Sequence, residues 1–458
     1  MAYDYDLIVL GGGPAGEKGA AQAAYFGKKV ALVEKAEEPG GAAVHTGTLP
    51  SKTLRETAIF LSGYRQSELY GVTVELNPDL AVPKLLSRKN AVRDAEVARI
   101  KWNLERHGVI SFHGAGRLVD AHTVDTGGGQ TISAEIILIA TGSIPFQPPG
   151  IAFEDEDIDD SDTILVIDRL PKSMVVLGGG VIGCEYATMF AAMRVNVTLL
   201  EGRPRLLPFL DLEMGERLRG AMTSLGVDIR LETTSKSVRR DGKVIACELS
   251  NGETIQCDKL LVASGRSGNT EGVGLQGVGV TVDKRGYVQV DESYKTTTPN
   301  IYAAGDVIGF PALASTSMEQ ARVAVCHAFG FQYKKQVSHL LPYGVYTIPE
   351  VSCVGFSEEQ AKEKKIDYVV GRAFYRDNAR GKIVGDKDGV IKLVFDKSNR
   401  KLIGCHCIGD RASELVHIGQ VAIATGGTID TFIEMVFNYP TLAEMFKYAA
   451  YDALKHFV

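Results

Sequence analysis

The 458-residue chain lacks three features that would assign it directly to a class of protein: a long apolar run, an excess of basic residues and a paired set of cysteines. No apolar stretch reaches the roughly 18 residues that a membrane-spanning helix requires, so we expect no membrane insertion. Lys and Arg number 50 against 56 Asp and Glu, and the net charge of −6 argues against a nucleic-acid partner. Residues 1–6 place no basic region ahead of an apolar run, so we expect no secretory signal.

Cysteines number only seven, and they are scattered along the chain without a C-x-x-C pair. Such usage is typical of a reduced compartment and predicts a cytoplasmic protein. The run Cys405-His406-Cys407 alone suggests a metal, but in a strand the two cysteines would share one face and the histidine would point to the other. Because no second pair of ligands lies nearby, we interpret the run as a buried strand and predict no metal site.

The chain does contain an ordinary globular mixture, with 45% hydrophobic and 23% charged residues. Its length exceeds what one core usually holds, so we expect several domains. One pattern occurs twice: an apolar strand, a glycine turn, a helix and a second strand, which indicates an internal duplication of one βαβ unit. The sequence predicts these strands and helices at 5–10, 17–26 and 28–34, and again at 173–177, 184–192 and 196–201.

Each copy carries a G-x-G-x-x-G fingerprint and an acid eighteen positions after the last glycine, Glu34 in the first copy and Glu201 in the second. A dinucleotide pyrophosphate must approach the backbone at a helix N-terminus, where side chains on the glycines would block it, and the acid accepts a ribose hydroxyl. Two complete copies predict two dinucleotide-binding units. The fingerprint glycines are Gly11, Gly13 and Gly16 in the first unit and Gly178, Gly180 and Gly183 in the second.

Three further apolar strands end in glycine turns. The turns are Thr141-Gly142, Gly265-Arg266 and Gly305-Asp306. Ligands of open parallel sheets bind outside the carboxyl ends of the strands, so we expect these turns to line the nucleotide clefts.

The last quarter of the chain has a different character. From about Val337 the sequence predicts alternating strands at 389–395 and 401–408, followed by helices at 413–426 and 429–436. This change of pattern indicates a separate α+β domain. No low-complexity linker precedes it, so we expect the domains to pack tightly.

The segment that follows the first unit carries a resemblance to a known family. Residues 40–52 read Gly-Gly-Ala-Ala-Val-His-Thr-Gly-Thr-Leu-Pro-Ser-Lys and resemble the motif G-G-x-C-x-x-x-G-C-x-P-S-K of the pyridine nucleotide-disulfide oxidoreductases. The likeness covers essentially the whole chain. It implies an α/β fold with two Rossmann-like dinucleotide-binding domains plus a C-terminal α+β dimerisation domain, with FAD on the first unit, NAD(H) and/or NADP(H) on the second, and a homodimer.

This resemblance predicts four segments along the chain. Residues 1–149 would form the first part of an FAD-binding domain and 150–270 an NAD(P)-binding domain, while 271–335 would close the FAD domain and 336–458 would form the interface domain. It also implies that further residues line the cofactors. These are Lys35, Gly41, Thr48, Gly116, Ala314 and Tyr439, beside Asp306 at the ribityl and phosphate region of FAD.

The chain departs from the family where thiol chemistry would occur. Ala43 and Thr48 stand at the two redox cysteine positions, and neither side chain can form a disulfide or a thiolate. The family's H-P-T-x-x-E becomes Tyr439-Pro440-Thr441-Leu442-Ala443-Glu444, which replaces an imidazole base by a phenol that is a far weaker base at neutral pH. Reduction of glutathione, lipoamide, mercury or trypanothione through a dithiol is therefore excluded.

Within the family the chain is most similar to the soluble pyridine nucleotide transhydrogenases. The shared residues are His45, Thr48, the run Tyr-Thr-Ile-Pro-Glu at 346–350, the run His-Ile-Gly-Gln at 417–420 and the run Phe-Asn-Tyr-Pro-Thr at 437–441. This similarity implies FAD-dependent hydride transfer between NADPH/NADP and NADH/NAD without a redox disulfide. Two alternatives stay open: an NAD(P)H diaphorase or oxidase that reduces a quinone, dioxygen or a protein partner, and a non-catalytic flavin- or nucleotide-binding redox sensor.

By the same resemblance, Lys52 would lie beside flavin N5 and pair with Glu185, although an ordinary helix-to-helix salt bridge would place the two residues in the same way. At the second unit, Glu201 favours a free ribose hydroxyl, whereas Arg203 and Arg205 could bind a 2′-phosphate or form a solvated cluster. We expect His45, Tyr439 and Glu444 to lie near the flavin face where the disulfide would be. Their expected roles are structural, with Tyr439 shielding the flavin and Glu444 forming a hydrogen bond across the interface.

Overall fold

The computed structural model describes residues 3–64, 69–71, 74 and 78–457 of the chain. Met1 and Ala2, the first residues of the N-terminal segment considered above, lie outside the described residues. The architecture is the expected one, with two Rossmann-like regions and a C-terminal α+β region.

The strands in chain order are β1 (Tyr5–Leu10), β2 (Val30–Glu34), β3 (Ile110–His113), β4 (Arg117–Leu118), β5 (Thr123–Asp125), β6 (Thr131–Ile139), β7 (Ser143–Pro145), β8 (Ile158–Asp160), β9 (Ser173–Leu177), β10 (Asn196–Glu201), β11 (Asp228–Leu231), β12 (Ser235–Asp241), β13 (Val244–Leu249), β14 (Thr254–Cys257), β15 (Lys259–Val262), β16 (Arg266–Gly268), β17 (Ile301–Ala303), β18 (Tyr343–Val345), β19 (Glu350–Gly355), β20 (Tyr368–Phe374), β21 (Val390–Asp396) and β22 (Leu402–Gly409).

The α-helices within the described residues are α1 (Pro14–Tyr25), α2 (Gly41–His45), α3 (Thr48–Ser62), α4 (Pro78–Arg106), α5 (Val181–Ala192), α6 (Leu212–Ser224), α7 (Ala314–Phe329), α8 (Glu358–Glu363), α9 (Ala379–Val384), α10 (Ala412–Ala424), α11 (Ile429–Glu434) and α12 (Met445–Leu454).

The first Rossmann-like region contains a sheet in the order β3-β2-β1-β6-β5-β4, with β17 beside β6. Strand β1 pairs in parallel with β2 on one side and with β6 on the other, so the order of the chain reverses at β1. Its residues from Leu7 to Leu10 are buried, as expected for a strand covered on both faces. A crevice for a ligand forms at the carboxyl end of such a strand.

The second region repeats this plan with the order β11-β10-β9-β15-β8, all in parallel. Here β9 lies between β10 and β15 and takes the place that β1 has in the first sheet. The antiparallel strands β12, β13 and β14 form a small separate sheet. In both Rossmann-like sheets, the glycine turn therefore lies at the carboxyl end of the central strand.

The C-terminal region is built on the antiparallel sheet β18-β19-β22-β21-β20. Helices α10, α11 and α12 pack on it over an apolar core that includes Phe395, Phe432 and Phe446. Cys405 and Cys407 lie in the same core with their sulfurs 3.8 Å apart, and His406 forms a hydrogen bond with the Phe356 carbonyl. The described residues contain no cluster of His, Cys, Asp or Glu that could hold a metal ion.

A buried ion pair joins the second Rossmann-like region to the C-terminal region. Lys392 of β21 donates to both carboxylate oxygens of Asp211, at 2.7 and 2.9 Å, and both side chains are almost fully buried. Glu358 of α8 lies 2.5 Å from the same ammonium. A buried charge without its partner costs several kcal/mol, so this contact fixes how the two regions sit together.

Several element boundaries differ from the sequence predictions. Helix α1 begins at Pro14 and α5 at Val181, each three residues before the predicted start, because Gly13 and Gly180 cap these helices in an extended conformation. The predicted strand at 28–34 begins only at Val30. The C-terminal helices are shorter than predicted and end at Ala424 and Glu434, before Gly426 and Val436.

No helix in the described part of the chain combines the length and the apolar character that crossing a bilayer requires. All seven cysteines are described, and each is buried with a free thiol.

Candidate active site

The first glycine turn joins β1 to α1. A methyl group on Gly16 would lie 1.8 Å from the Gly11 carbonyl oxygen, and one on Gly11 would lie 2.4 Å from the Ala140 carbonyl oxygen. Around Gly13, by contrast, the nearest atom to an added Cβ is 3.7 Å away, on Gly41. No described side chain caps α1, so the first turn presents backbone N–H groups that can donate hydrogen bonds to a phosphate. The outer glycines serve packing, and the middle position is open to a ligand.

The second turn, between β9 and α5, repeats this geometry. A Cβ on Gly183 would lie 1.8 Å from the Gly178 carbonyl oxygen, and one on Gly178 would lie 2.6 Å from the Ala263 carbonyl oxygen. Apart from its chain neighbours, no described residue places an atom within 4 Å of the Cβ position of Gly180, and no described side chain caps α5. Both turns therefore fit the approach of a dinucleotide pyrophosphate.

The acids that follow each turn differ in their surroundings. Glu34 accepts the Gly12 N–H at 2.5 Å and the Ala36 N–H at 2.8 Å. Glu201 accepts the corresponding Gly179 N–H at 2.8 Å, but its remaining neighbour is Arg203. The Arg203 backbone N–H and Nε both donate to Oε1 at 2.9 Å, and Nη2 donates to Oε2 at 2.8 Å.

This arrangement affects the ionisation of the Glu201 carboxyl. Burial alone would raise its pKa, but hydrogen bonds from Arg203 and Gly179 together with the arginine charge hold the pKa below its usual value. The carboxylate therefore stays ionised and locally neutralised by Arg203. Arg205 points elsewhere and donates to the Pro208 carbonyl.

The turns after β6, β15 and β17 meet at one place. Arg266 donates from Nε to the Ser143 hydroxyl at 2.8 Å, and this hydroxyl donates to Asp306 at 3.2 Å. The Thr141 hydroxyl is buried there and has no hydrogen-bond partner among the described residues, which is the state expected of a group that binds a polar ligand. Gly142 and Gly265, both with positive φ, have no atom within 4 Å of their Cβ positions.

Of the other predicted cofactor residues, Gly41 and Gly116 lie near the first turn. An added Cβ on Gly41 would lie 2.8 Å from the Gly13 Cα, and one on Gly116 would lie 2.9 Å from a Leu10 methyl group. Lys35 is exposed next to Glu34, and Ala314 is the first residue of α7. Gly41 and Gly116 therefore lie beside the first turn and the end of β1, whereas the cofactor contacts of Lys35 and Ala314 stay predictions.

The predicted pair of Lys52 and Glu185 is present and joins the two Rossmann-like regions. The Lys52 ammonium lies 2.6 Å from Glu185 Oε2, and the side chains are 27% and 6% exposed. Glu185 accepts the backbone N–H of Tyr346 on its other oxygen at 2.8 Å. Helices α2 and α3, which carry Ala43 and Thr48, contain no cysteine.

Three residues that were predicted near the flavin make no described contact with Lys52 or Glu185 within one chain. Tyr439 is 70% exposed on the C-terminal region, and none of the contacts described for the chain links it to Lys52 or to a glycine turn. Glu444 accepts the Tyr448 hydroxyl at 3.4 Å, and His45 forms a hydrogen bond with the Pro39 carbonyl at 3.1 Å. The role of Tyr439 at the flavin stays a prediction.

Two residues of the site escaped the sequence analysis. Ser143 links Arg266 to Asp306, and its position directly after Thr141-Gly142 could have suggested a polar contact. Tyr346 was noted only as part of a family run, because no local pattern connects it with Lys52.

Comparisons with known proteins agree with this geometry. The family model described as pyridine nucleotide-disulphide oxidoreductase matches residues 5–328, and that of the family's dimerisation domain matches residues 341–450. A soluble pyridine nucleotide transhydrogenase of Mycobacterium bovis is 43% identical over 98% of this chain and 97% of its own length. One of Marinomonas sp. is 39% identical over 97% of each chain. The solved structure of the HOCl-induced flavoprotein disulfide reductase RclA from Escherichia coli superposes with a TM-score of 0.88 at 26% identity, over 98% of this chain and 99% of that one.

Proposed function

Because the chain belongs to the pyridine nucleotide-disulphide oxidoreductase family, we propose that it transfers hydride between NADPH/NADP and NADH/NAD through FAD, without a disulfide stage. The family uses FAD and NAD(P), and the chain is an FAD-dependent oxidoreductase. The match to the dimerisation domain supports a homodimer as the working form.

The residues present fit both cofactors. At the first crevice Gly13, Glu34, Thr141 and Asp306 would hold FAD, which supplies a carrier for two electrons when bound. At the second crevice the open backbone of Gly180 and the acid Glu201 would hold the nicotinamide nucleotide.

The observation that carries the proposal is the contact between Lys52 and Glu185 on helices that contain no redox cysteine. Lys52 lies where the two Rossmann-like regions meet, and its ammonium would stabilise negative charge gained on reduction. The cysteine nearest in sequence, Cys184 on α5, is buried and directs its thiol to the Gly179 carbonyl at 3.5 Å, and the other six cysteines are buried as well. Pure hydride transfer requires no general acid or base, so the protein supplies binding and orientation, and one nucleotide leaves before the other enters.

Such an exchange requires one site to accept nucleotides with and without a 2′-phosphate. Glu201 alone would repel the phosphate, but Arg203 neutralises this carboxylate with two of its five side-chain N–H donors and leaves three for another acceptor. We propose that Arg203 turns from Glu201 toward the phosphate when NADPH binds, and stays on Glu201 when NADH binds.

The test is to mix purified holoenzyme with NADPH and thio-NAD⁺ without oxygen and to follow the formation of thio-NADH. We expect turnover with each combination of donor and acceptor. Parallel reactions with a quinone and with dioxygen measure the diaphorase alternative. Fast reduction of these acceptors without formation of thio-NADH would contradict the proposal, as would a flavin that neither reduced nucleotide bleaches.

A further inference from the structure

Tyr346 contacts both members of the pair of Lys52 and Glu185. Its backbone N–H donates to Glu185 Oε1 at 2.8 Å, and the Lys52 ammonium lies 5.0 Å from the centre of its ring. Lys52 Nζ also lies 3.4 Å from the Ser51 hydroxyl. One side of the ammonium therefore meets the carboxylate and another meets the ring face, while the lysine keeps a partly exposed side.

The segment that carries Tyr346 is held in place by both Rossmann-like regions. Arg55 of α3 donates to the Thr347 carbonyl at 3.0 Å and lies 3.3 Å from Glu350. The Ile348 N–H donates to the Thr188 hydroxyl of α5 at 3.2 Å. These bonds fix the ring of Tyr346 relative to the helices that carry Lys52 and Glu185.

The phenol of Tyr346 lies near Ser413 of the C-terminal region. Burial raises the pKa of its phenol, against the lowering effect of a hydrogen bond with Ser413. Ser413 donates from its hydroxyl to Glu350 at 2.7 Å. The phenol therefore stays neutral at physiological pH, and its ring presents a fixed negative face toward the ammonium.

We propose that Tyr346 is a positioning residue that holds the Lys52 ammonium at the junction of the two nucleotide-binding units. This inference rests on the site of the proposed function. A lysine side chain has four rotatable bonds, and Glu185 alone restrains only its tip. The ring adds a second restraint, so the ammonium is oriented before the cofactors react. The C-terminal region thereby takes part in the flavin site of its own chain.

The test compares Tyr346→Leu with Tyr346→Phe in the holoenzyme. Leucine removes the ring but keeps the backbone N–H to Glu185, whereas phenylalanine keeps both. A cation–π contact of this kind is worth about 0.5–1 kcal/mol, so Tyr346→Leu should slow flavin reduction by saturating NADH roughly two- to fivefold. Its KM for NADH should stay within about twofold, and its flavin midpoint potential should become more negative. Tyr346→Phe should restore the rate and the potential.

Phe356→Leu is the matched control, because it removes a second cation–π contact of the C-terminal region, with Lys364 at 5.4 Å. Neither its reduction rate nor its potential should change. If Tyr346→Leu fails to bind FAD, Tyr346→Met replaces the ring by an adaptable apolar side chain. An unchanged rate and potential in Tyr346→Leu or in this substitute would overturn the inference, as would a loss in Tyr346→Phe equal to that in Tyr346→Leu.

These measurements use a single nucleotide and no acceptor. Failure of reduced wild-type enzyme to pass hydride to thio-NAD⁺ would therefore contradict the proposed function and leave the effect of Tyr346 on flavin reduction intact. Wild-type rate and potential in Tyr346→Leu would contradict the role of Tyr346 and leave the proposed function intact.

Discussion

The two dinucleotide-binding units share their glycine turns and differ at the acid. In each unit the acid accepts the N–H of the glycine after the first fingerprint position, Gly12 for Glu34 and Gly179 for Glu201. Within the described part of the chain, the hydrogen bonds to Glu34 come from backbone donors, whereas Glu201 accepts three bonds from Arg203. The first acid suits one resident cofactor with a free ribose. The second has a half-exposed counter-charge, which under the proposed function would suit exchanging nucleotides of two kinds.

The difference extends to the helices that follow. Helix α5 of the second unit supplies Glu185, whereas the first unit supplies Lys52 from α3, beyond its second strand. The unit that would hold FAD thus contributes the cation and the unit that would hold NAD(P) contributes its anchor. Each unit can be damaged separately, and the variants below do so in order of decreasing effect.

Gly16→Ala and Gly183→Ala should damage one unit each. The added methyl group would lie 1.8 Å from a carbonyl oxygen in either turn, and overpacking of this kind costs about 1–3 kcal/mol or more. We expect Gly16→Ala to lose FAD, and Gly183→Ala to keep FAD but lose flavin reduction by both nucleotides. Bound flavin is measured by absorbance and reduction by stopped flow. Full FAD content in Gly16→Ala would show that the turns tolerate a side chain.

Lys52→Ala should leave both cofactors bound and slow their reaction. A hydrogen bond to a charged group contributes about 1.5–3 kcal/mol, which corresponds to a roughly 10- to 150-fold slower reduction of the flavin. The change also strands the Glu185 carboxylate, so Lys52→Met combined with Glu185→Gln is the control for an unpaired buried charge. An unchanged stopped-flow rate in Lys52→Ala would exclude a role for the ammonium.

Arg203→Ala should make the second acid resemble the first. The arginine side chain is half exposed, so we expect the variant to lose only about 1 kcal/mol of binding free energy for NADPH. This loss corresponds to a roughly five- to tenfold rise in the KM for NADPH, with little change in the KM for NADH. Arg205→Ala is the matched control, because Arg205 donates to a backbone carbonyl. A ratio of the two KM values that stays at the wild-type value would remove the phosphate role of Arg203.

The smallest effect concerns pH. Because the pKa of Glu201 is lowered in the folded protein, the carboxylate contributes stability above its unfolded pKa and loses it as pH falls through the folded pKa. The difference in Tm between wild type and Glu201→Gln should be constant from about pH 5 to pH 8 and shrink below about pH 4. Thermal unfolding across this range measures it, and a difference that grows on acidification would contradict the assigned sign.

The sequence was sufficient for features that depend on local spacing. The fingerprint glycines fixed both turns, and the strand predicted at 173–177 is Ser173–Leu177 in the structure. The first residues of α1 and α5 were missed because Gly13 and Gly180 cap these helices without a side-chain signal. Motif positions also identified the missing thiols, since Ala43 and Thr48 stand at fixed places in the motif of residues 40–52.

Contacts between distant residues were not predictable in the same way. Lys392 and Asp211 are 181 positions apart, and their pairing depends on how β21 packs beside α6. The Arg203 side chain bonds to Glu201 in the structure, although it could also extend into solvent. The run Glu201-Gly202-Arg203 does not predict which of these conformations it adopts. The contact of Tyr346 with Lys52 likewise requires three regions to assemble.

The most direct measurement of the central claim is a two-step experiment without oxygen. Holoenzyme is reduced with one equivalent of NADPH, treated with a thiol-alkylating reagent, and then mixed with thio-NAD⁺ in a stopped-flow instrument. We predict that the flavin reoxidises with an equal amount of thio-NADH formed and that alkylation changes neither rate nor yield, since every cysteine is buried, including Cys184 beside Glu185. A flavin that stays reduced, or a transfer that alkylation abolishes, would contradict hydride exchange without a thiol.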